Sequence, residues 1–137
     1  MSRSGSVRRF GTVWAPKVPP TYTDPPQIVL HVPVPPSANN LFVNAARGRV
    51  KSAAYKAWRD EAGWRVRMEL PPYLDKPGVR VLIEVDLPRR RDLDNTIKPI
   101  LDLLVYVSVL ADDSLVDDLR IIRRGDKKMA AISIWPA

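Results

Sequence analysis

The sequence predicts an α/β chain of the two-layer α+β kind: a mixed four-stranded sheet carrying two main helices, in the order β-α-β-α-β-β. Three observations predict it. Apolar residues alternate along 28–34 and 79–87, the period of a strand with one buried face. They recur every three or four residues along 52–69 and 93–105, the period of a helix with one buried stripe. Two further strand-like stretches close the chain, and strands interleaved with helices build layered folds. At 137 residues the chain is long enough to bury one core without cross-links.

"QIVLHVPVPP" alternates Ile28, Leu30, Val32 and Val34 and is closed by Pro35 and Pro36. Pro33 inside it points to an edge strand or an early strand end, because proline cannot donate to a sheet ladder. "SANNLFVNAARGRVK" reads as a polar, glycine-containing loop. "SAAYKAWRDEAGWRVRMEL" reads as a helix capped by Ser52 and ending before Pro71, with Trp58 and Ala62 on one side. Trp58 and Trp64 read as core or subunit-contact residues rather than platforms for stacked bases, and Arg59, Arg65 and Arg67 as a solvated face, some of which could touch phosphate. "VRVLIEVDLP" is a strand stopped by Pro88. From Leu93 a helix carries Ile97, Ile100, Leu101, Leu104 and Val105, with Asp94 placed to cap it and Pro99 tolerable if it lies in the first turn. "ADDS" is a turn, followed by a strand from about residue 115 to 123, a hairpin at Gly125 and Asp126, and a last strand from Met129 to Trp135. Residues 1–26, rich in Ser, Pro and Arg, show no period and read as a flexible basic arm. Residues 27–137 form the folded domain.

Composition narrows the chemistry. There is no cysteine and one histidine, His31, which excludes disulfides, thiolate ligands and multi-histidine metal sites. Any metal must be held by carboxylates, which favours magnesium or manganese. No apolar run reaches the length of a membrane span and the N-terminus lacks a signal-peptide core, so a soluble, cytoplasmic protein with no membrane partner is expected. The net charge of +7 and pI near 10.1 imply a polyanionic partner. From Asp92 to Asp118, however, seven acidic residues face the single cation Lys98, a local charge of −6 that leaves +13 on the remainder. An acidic island in a basic chain suits a metal-dependent nuclease: cations draw in the phosphates and carboxylates hold the metal.

The island opens with "RRRDLDNTIKPILD". Asp92 and Asp94 share a face if the backbone stays extended, and otherwise sit together at a strand-to-helix junction; either way they can bracket a divalent ion. The competing reading makes Asp94 a helix cap and pairs Asp92 with Arg91. Lys98 lies one helical turn beyond Asp94, where it would contact a scissile phosphate or form an ordinary ion pair. Asp112 and Asp113 follow the helix in a turn that a two-layer fold can return to Asp92, and adjacent aspartates diverge, so one of them joins the cluster. Arg89, Arg90 and Arg91 would grip phosphate with their forked donors, or form a solvated strand end. Nucleophilic triads, Walker loops and dinucleotide-binding glycine patterns are absent from the sequence.

"RRRDLDNTIKPILDLL" followed by "LADDSLVDDLRII", together with "VPVPPSANNLFVNAARGRVKSAAYKAWRDEA", resembles the RusA family of Holliday junction resolvases over about residues 28–134. The resemblance implies a homodimeric endonuclease that needs magnesium or manganese and resolves four-way DNA junctions by paired nicks in opposing strands. It assigns Asp92, Asp94 and Asp113 as metal-binding catalytic carboxylates, Lys98 as the catalytic lysine and Arg91 as a DNA contact. Asp112 and Asp102 are supporting residues, and Asn95 orders the junction. One departure stands out: the family commonly ends its second helix with a glycine and flanking aromatics, where this chain has "VYVSVLADD". The expected function is a metal-dependent, structure-selective DNA endonuclease acting on branched DNA. A noncatalytic branched-DNA-binding module and a metal nuclease for flaps, forks or RNA are the alternatives.

Overall fold

The computed structural model describes residues 22, 24–37, 42–45 and 48–136. Its elements are β1 (Ile28–Pro33), β2 (Phe42–Ala45), β3 (Gly48–Lys51), α1 (Ala53–Met68), β4 (Val79–Val85), α2 (Asp94–Tyr106), a single 3-10 turn at Asp113–Leu115, β5 (Val116–Arg123) and β6 (Met129–Trp135). Four strands form one mixed sheet in the order β1-β6-β4-β5, and β2 pairs with β3 in a separate two-stranded ribbon. The predicted α+β order is therefore present in the main sheet and its two helices. The expected arm falls outside the described residues up to Thr21.

The central position of β4 follows from its composition. Val79, Val81, Ile83 and Val85 are buried toward the helices, and Leu82 on the opposite face is buried too. A strand covered on both faces belongs in the middle of a sheet. It pairs parallel with β5 and antiparallel with β6. Parallel neighbours need a crossover element, and α2 supplies it. Its Ile100, Leu103 and Leu104 are fully buried with Leu30, Val32, Ile132 and Ile134 of the sheet. Helix α1 lies over β1, starting at Ser52, whose hydroxyl accepts from the Tyr55 amide at 3.0 Å. Trp58 is buried and donates from Nε1 to the Pro33 carbonyl at 2.7 Å.

Five expectations are corrected. The stretch 38–51 contains the β2–β3 ribbon, not only a loop. The strand before the acidic island ends at Val85, three residues short of Pro88. No hairpin joins β5 to β6, because β4 lies between them; the connection crosses the end of β4, with Gly125 at φ 130° and Lys127 and Lys128 also left-handed. Asp94 is the first helical residue and does not cap α2, whose cap position is Leu93. Pro99 lies in the second turn of α2, where it removes one ladder hydrogen bond and is itself buried. Trp58 meets the core expectation, whereas Trp64 is 62% exposed. The edge position suggested by Pro33 is observed, since β1 pairs only with β6.

The other face of the sheet carries the residues just before β1. Tyr22 packs edge-on against Trp135 with ring centroids 5.1 Å apart, and its hydroxyl donates to the Asp118 carboxylate. Trp135 Nε1 donates to the Asp24 carbonyl at 2.8 Å. Burial, and then the Asp118 carboxylate, push the Tyr22 phenol upward. Among the described residues no helix is long and apolar enough to cross a membrane.

Candidate active site

The loop after β4 carries the arginine triplet and delivers Asp92 and Asp94 to the start of α2. It turns at Arg89 and Arg90, where the Arg91 amide donates back to the Pro88 carbonyl at 3.0 Å. Two guanidinium groups tie it to distant parts of the chain. Arg91 reaches the Pro35 carbonyl beyond β1 at 2.9 Å. Arg123, at the end of β5, donates to the carbonyls of Leu87 (3.1 Å), Pro88 (2.6 Å) and Arg91 (3.1 Å). The parallel pairing of Val85 with Arg123 puts that side chain beside the loop. Burial, with Arg90 next to it, lowers the Arg91 guanidinium from its usual value.

With Arg91 committed to Pro35, Asp92 has no arginine partner there. Asp92 and Asp94 are both exposed, and neither has a hydrogen bond or ion pair among the described residues. The competing reading of these residues, a cap and a local pair, is thus absent from the structure. Asp94 occupies the first turn of α2, where the amide dipoles favour a carboxylate.

The second acidic group reaches α2 from its far end. Helix α2 closes with the Ser108 amide donating to the Val105 carbonyl and the Val109 amide to the Leu104 carbonyl, while Ser108 takes φ 62°. That paired pattern is a Schellman ending, which usually places glycine in the left-handed position. The chain then runs beside residue 74: the Leu74 amide donates to the Val109 carbonyl and the Ala111 amide to the Leu74 carbonyl, both at 2.8 Å. Asp112 caps the short turn that follows, accepting from the Ser114 amide at 3.2 Å and from its hydroxyl. These bonds from Ser114 hold the Asp112 carboxyl below the usual range. Asp113 is left facing α2.

Lys98 joins the two groups. Its Nζ lies 2.9 Å from the Asp102 carboxylate and 3.5 Å from that of Asp113. The hydrogen bond to Asp102, and then its charge, raise the lysine above its usual value. The "ADDS" turn comes back to Lys98 of this helix, whereas the expected return was to Asp92. Asp102, read from sequence as supporting, is the lysine's nearer partner.

Asp92, Asp94 and Asp113 do not converge: among the described residues no group of three or more Asp, Glu or His side chains is gathered for metal binding. Asp113 is engaged by Lys98 instead. The donor chemistry still fits a hard divalent ion, since every candidate ligand is a carboxylate oxygen.

Sequence reasoning missed Arg123, because only the parallel register reveals what it braces. It read Arg59 as part of a helix face that is solvated or touches phosphate. In the structure Lys51, Tyr55, Arg59 and Tyr106 share with Lys98 and Asp113 the lining of a cavity of about 380 Å³.

The chain matches the family description Endodeoxyribonuclease RusA over residues 32–135. It is similar to a crossover junction endodeoxyribonuclease of Enterobacteria phage HK97, 32% identical over 94 residues, covering 67% of this chain and 78% of the relative. One from Enterobacteria phage 82 is 33% identical over 97 residues, covering 68% of this chain and 81% of its own. One from Escherichia coli is 35% identical over 95 residues, with coverage of 67% and 78%. The match spans β4, β5, β6, the end of β1, both helices and every candidate site residue, and the chain belongs to the RusA family.

Proposed function

We propose that this protein is a metal-dependent endodeoxyribonuclease that resolves four-way DNA junctions by paired nicks in opposing strands. The observation that carries the reading is the meeting of Lys98 with Asp113 and Asp102 on an open surface one helical turn from Asp94, whose carboxylate has no partner among the described residues. A purely structural acidic patch would pair these groups off. Relatives named as crossover junction endodeoxyribonucleases support four-way DNA as the substrate.

In this reading Asp92, Asp94 and Asp113 hold magnesium or manganese, which when bound supplies a Lewis acid at the phosphodiester and eases deprotonation of water. Lys98 presents an ammonium to the phosphate and steadies the negative charge that grows there during displacement. Its tie to Asp102 keeps the proton on Nζ and limits the rotamers available to the side chain. Arg89 and Arg90, exposed at the turn before the acids, attract the DNA backbone. Arg91 holds the loop through Pro35 and contacts DNA only with donors not used there. Two nicks in opposing strands call for two sites, so the acting species is a homodimer whose twofold axis matches the symmetry of the junction.

The test is strand-by-strand cleavage of a synthetic four-way junction with magnesium, manganese or chelator, beside linear duplex, flap and fork. Symmetric, cation-dependent nicks confined to the junction are expected. Junction binding with no cut under either cation would replace the enzyme by a noncatalytic branched-DNA-binding module. Preferential cutting of flaps or forks would keep the chemistry and change the substrate.

A further inference from the structure

The cavity beside Lys98 carries both signs of charge. Asp102, Asp112 and Asp113 line it with Lys98, and so do Lys51 and Arg59, one at the end of β3 and the other in α1. We propose that Lys51 and Arg59 form a subsite for a phosphodiester flanking the one that is cut, on the same DNA strand. This rests on the endonuclease reading above and adds to it a specific backbone contact.

Three observations point to an anion there. The Arg59 guanidinium lies over the Tyr106 ring at 4.3 Å from its centroid, with Arg67 on the same ring at 5.5 Å. Stacking on an aromatic face fixes the plane of the guanidinium while leaving its edge donors for an oxyanion. The buried Nε of Arg59 has no hydrogen-bond partner among the described residues. Its nearest carboxylate oxygen, on Asp60, is 3.9 Å away, too far for a hydrogen bond. A buried donor left unpaired costs free energy unless a ligand uses it. Finally, Lys51 Nζ stands 5.9 Å from the Tyr55 ring centroid on the rim of the same cavity. Two cations, each beside a phenolic ring and lining the same cavity as the reactive lysine, match a strand whose charged phosphates recur along its backbone.

Tyr106 orients Arg59 and is a positioning residue.

The experiment replaces single phosphates of the cleaved strand by neutral methylphosphonates, one position at a time on either side of the cut, and measures junction binding and single-turnover cleavage. Wild-type protein is expected to lose on the order of tenfold in binding at one flanking position, the scale of a charge-assisted hydrogen bond. Arg59→Gln is expected to lose a similar factor on normal DNA and nothing more on that methylphosphonate; Lys51→Gln should show the same non-additivity if Arg59→Gln folds poorly. Equal tolerance of all flanking methylphosphonates by the wild type, or losses that simply multiply in both variants, would overturn the subsite. A wild type that binds but never cuts would remove the endonuclease reading while the binding scan still decides the subsite. Failure to bind the junction at all would remove both.

Discussion

Two short segments bring the acids to α2, and they are held in opposite ways. The loop at 86–93 is tied to distant parts of the chain, by Arg91 on the Pro35 carbonyl and by Arg123 on three carbonyls of the loop itself. The turn at 112–115 is held from within, by Asp112 on the amide and hydroxyl of Ser114. In the first, one guanidinium from a distant strand and one that reaches out from the loop itself fix the backbone and leave Asp92 and Asp94 unengaged. In the second, one aspartate is used locally so that its neighbour, Asp113, can face Lys98. The site thus depends on long-range packing on one side of α2 and on a four-residue motif on the other.

The sharpest way to compare the two sides is to neutralise one acid from each. Asp94→Asn and Asp113→Asn are each expected to lower single-turnover cleavage by about a hundredfold or more, with junction binding kept. Stability should move by less than about 0.5 kcal/mol, since Asp94 has no partner and Asp113 only an exposed one. A variant of either kind that cleaves at the wild-type rate would take that segment out of the chemistry.

Breaking the outside brace comes next in size. Arg123→Ala removes hydrogen bonds to Leu87, Pro88 and Arg91 and should cost about 2 kcal/mol in urea unfolding. Arg123→Lys should recover only part of this, because an ammonium cannot reproduce the fork that reaches carbonyls on both sides of the turn. If cleavage falls no further than stability does, the brace serves the fold and leaves the acids placed.

This contrast also marks what was legible in the sequence. Period-two and helical spacings located β1, β4, α1, α2 and β6, because burial of one face leaves a repeating mark on the chain. The self-contained turn was legible too, since Asp112 and Ser114 act within three residues. Neighbour relations in the sheet were not: two strands joined by Gly125 and Asp126 look like a hairpin until the apolar β4 is seen to require a partner on either side. Arg123 carries no local signature, and its role follows from a register that only the fold creates. The acids at Asp92 and Asp94 were legible as a pair, whereas the lysine's preference for Asp102 over Asp94 depends on how α2 faces the returning turn.

A smaller effect is expected where α2 hands the chain to that turn. Ser108 adopts φ 62° in the left-handed position of the Schellman ending, a conformation that glycine takes without steric cost. Ser108→Gly should therefore stabilise the fold by about 0.5 to 1 kcal/mol, offset in part by the greater freedom of glycine in the unfolded chain. A loss of stability would mean that the serine hydroxyl contributes something the backbone pattern does not.

The smallest effect belongs to the inner brace and is best seen through pH. The Asp112 carboxyl is held below its usual range by Ser114, so folding favours its ionised form. A group whose pKa is lower in the folded state adds stability above its unfolded pKa and loses it as pH falls through the folded one. Wild type should therefore exceed Asp112→Ala slightly in Tm at neutral pH, and the gap should begin to close as the pH drops below the ordinary aspartate value of about 3.9 and vanish only below the lowered folded one. A gap that persists unchanged in acid would mean that the neutral carboxyl holds the turn as well as the charged one, and that Asp112 acts through its geometry alone. In that case Asp113 would still be presented to Lys98 at low pH, and any acid loss of cleavage would have to arise at the reacting carboxylates themselves.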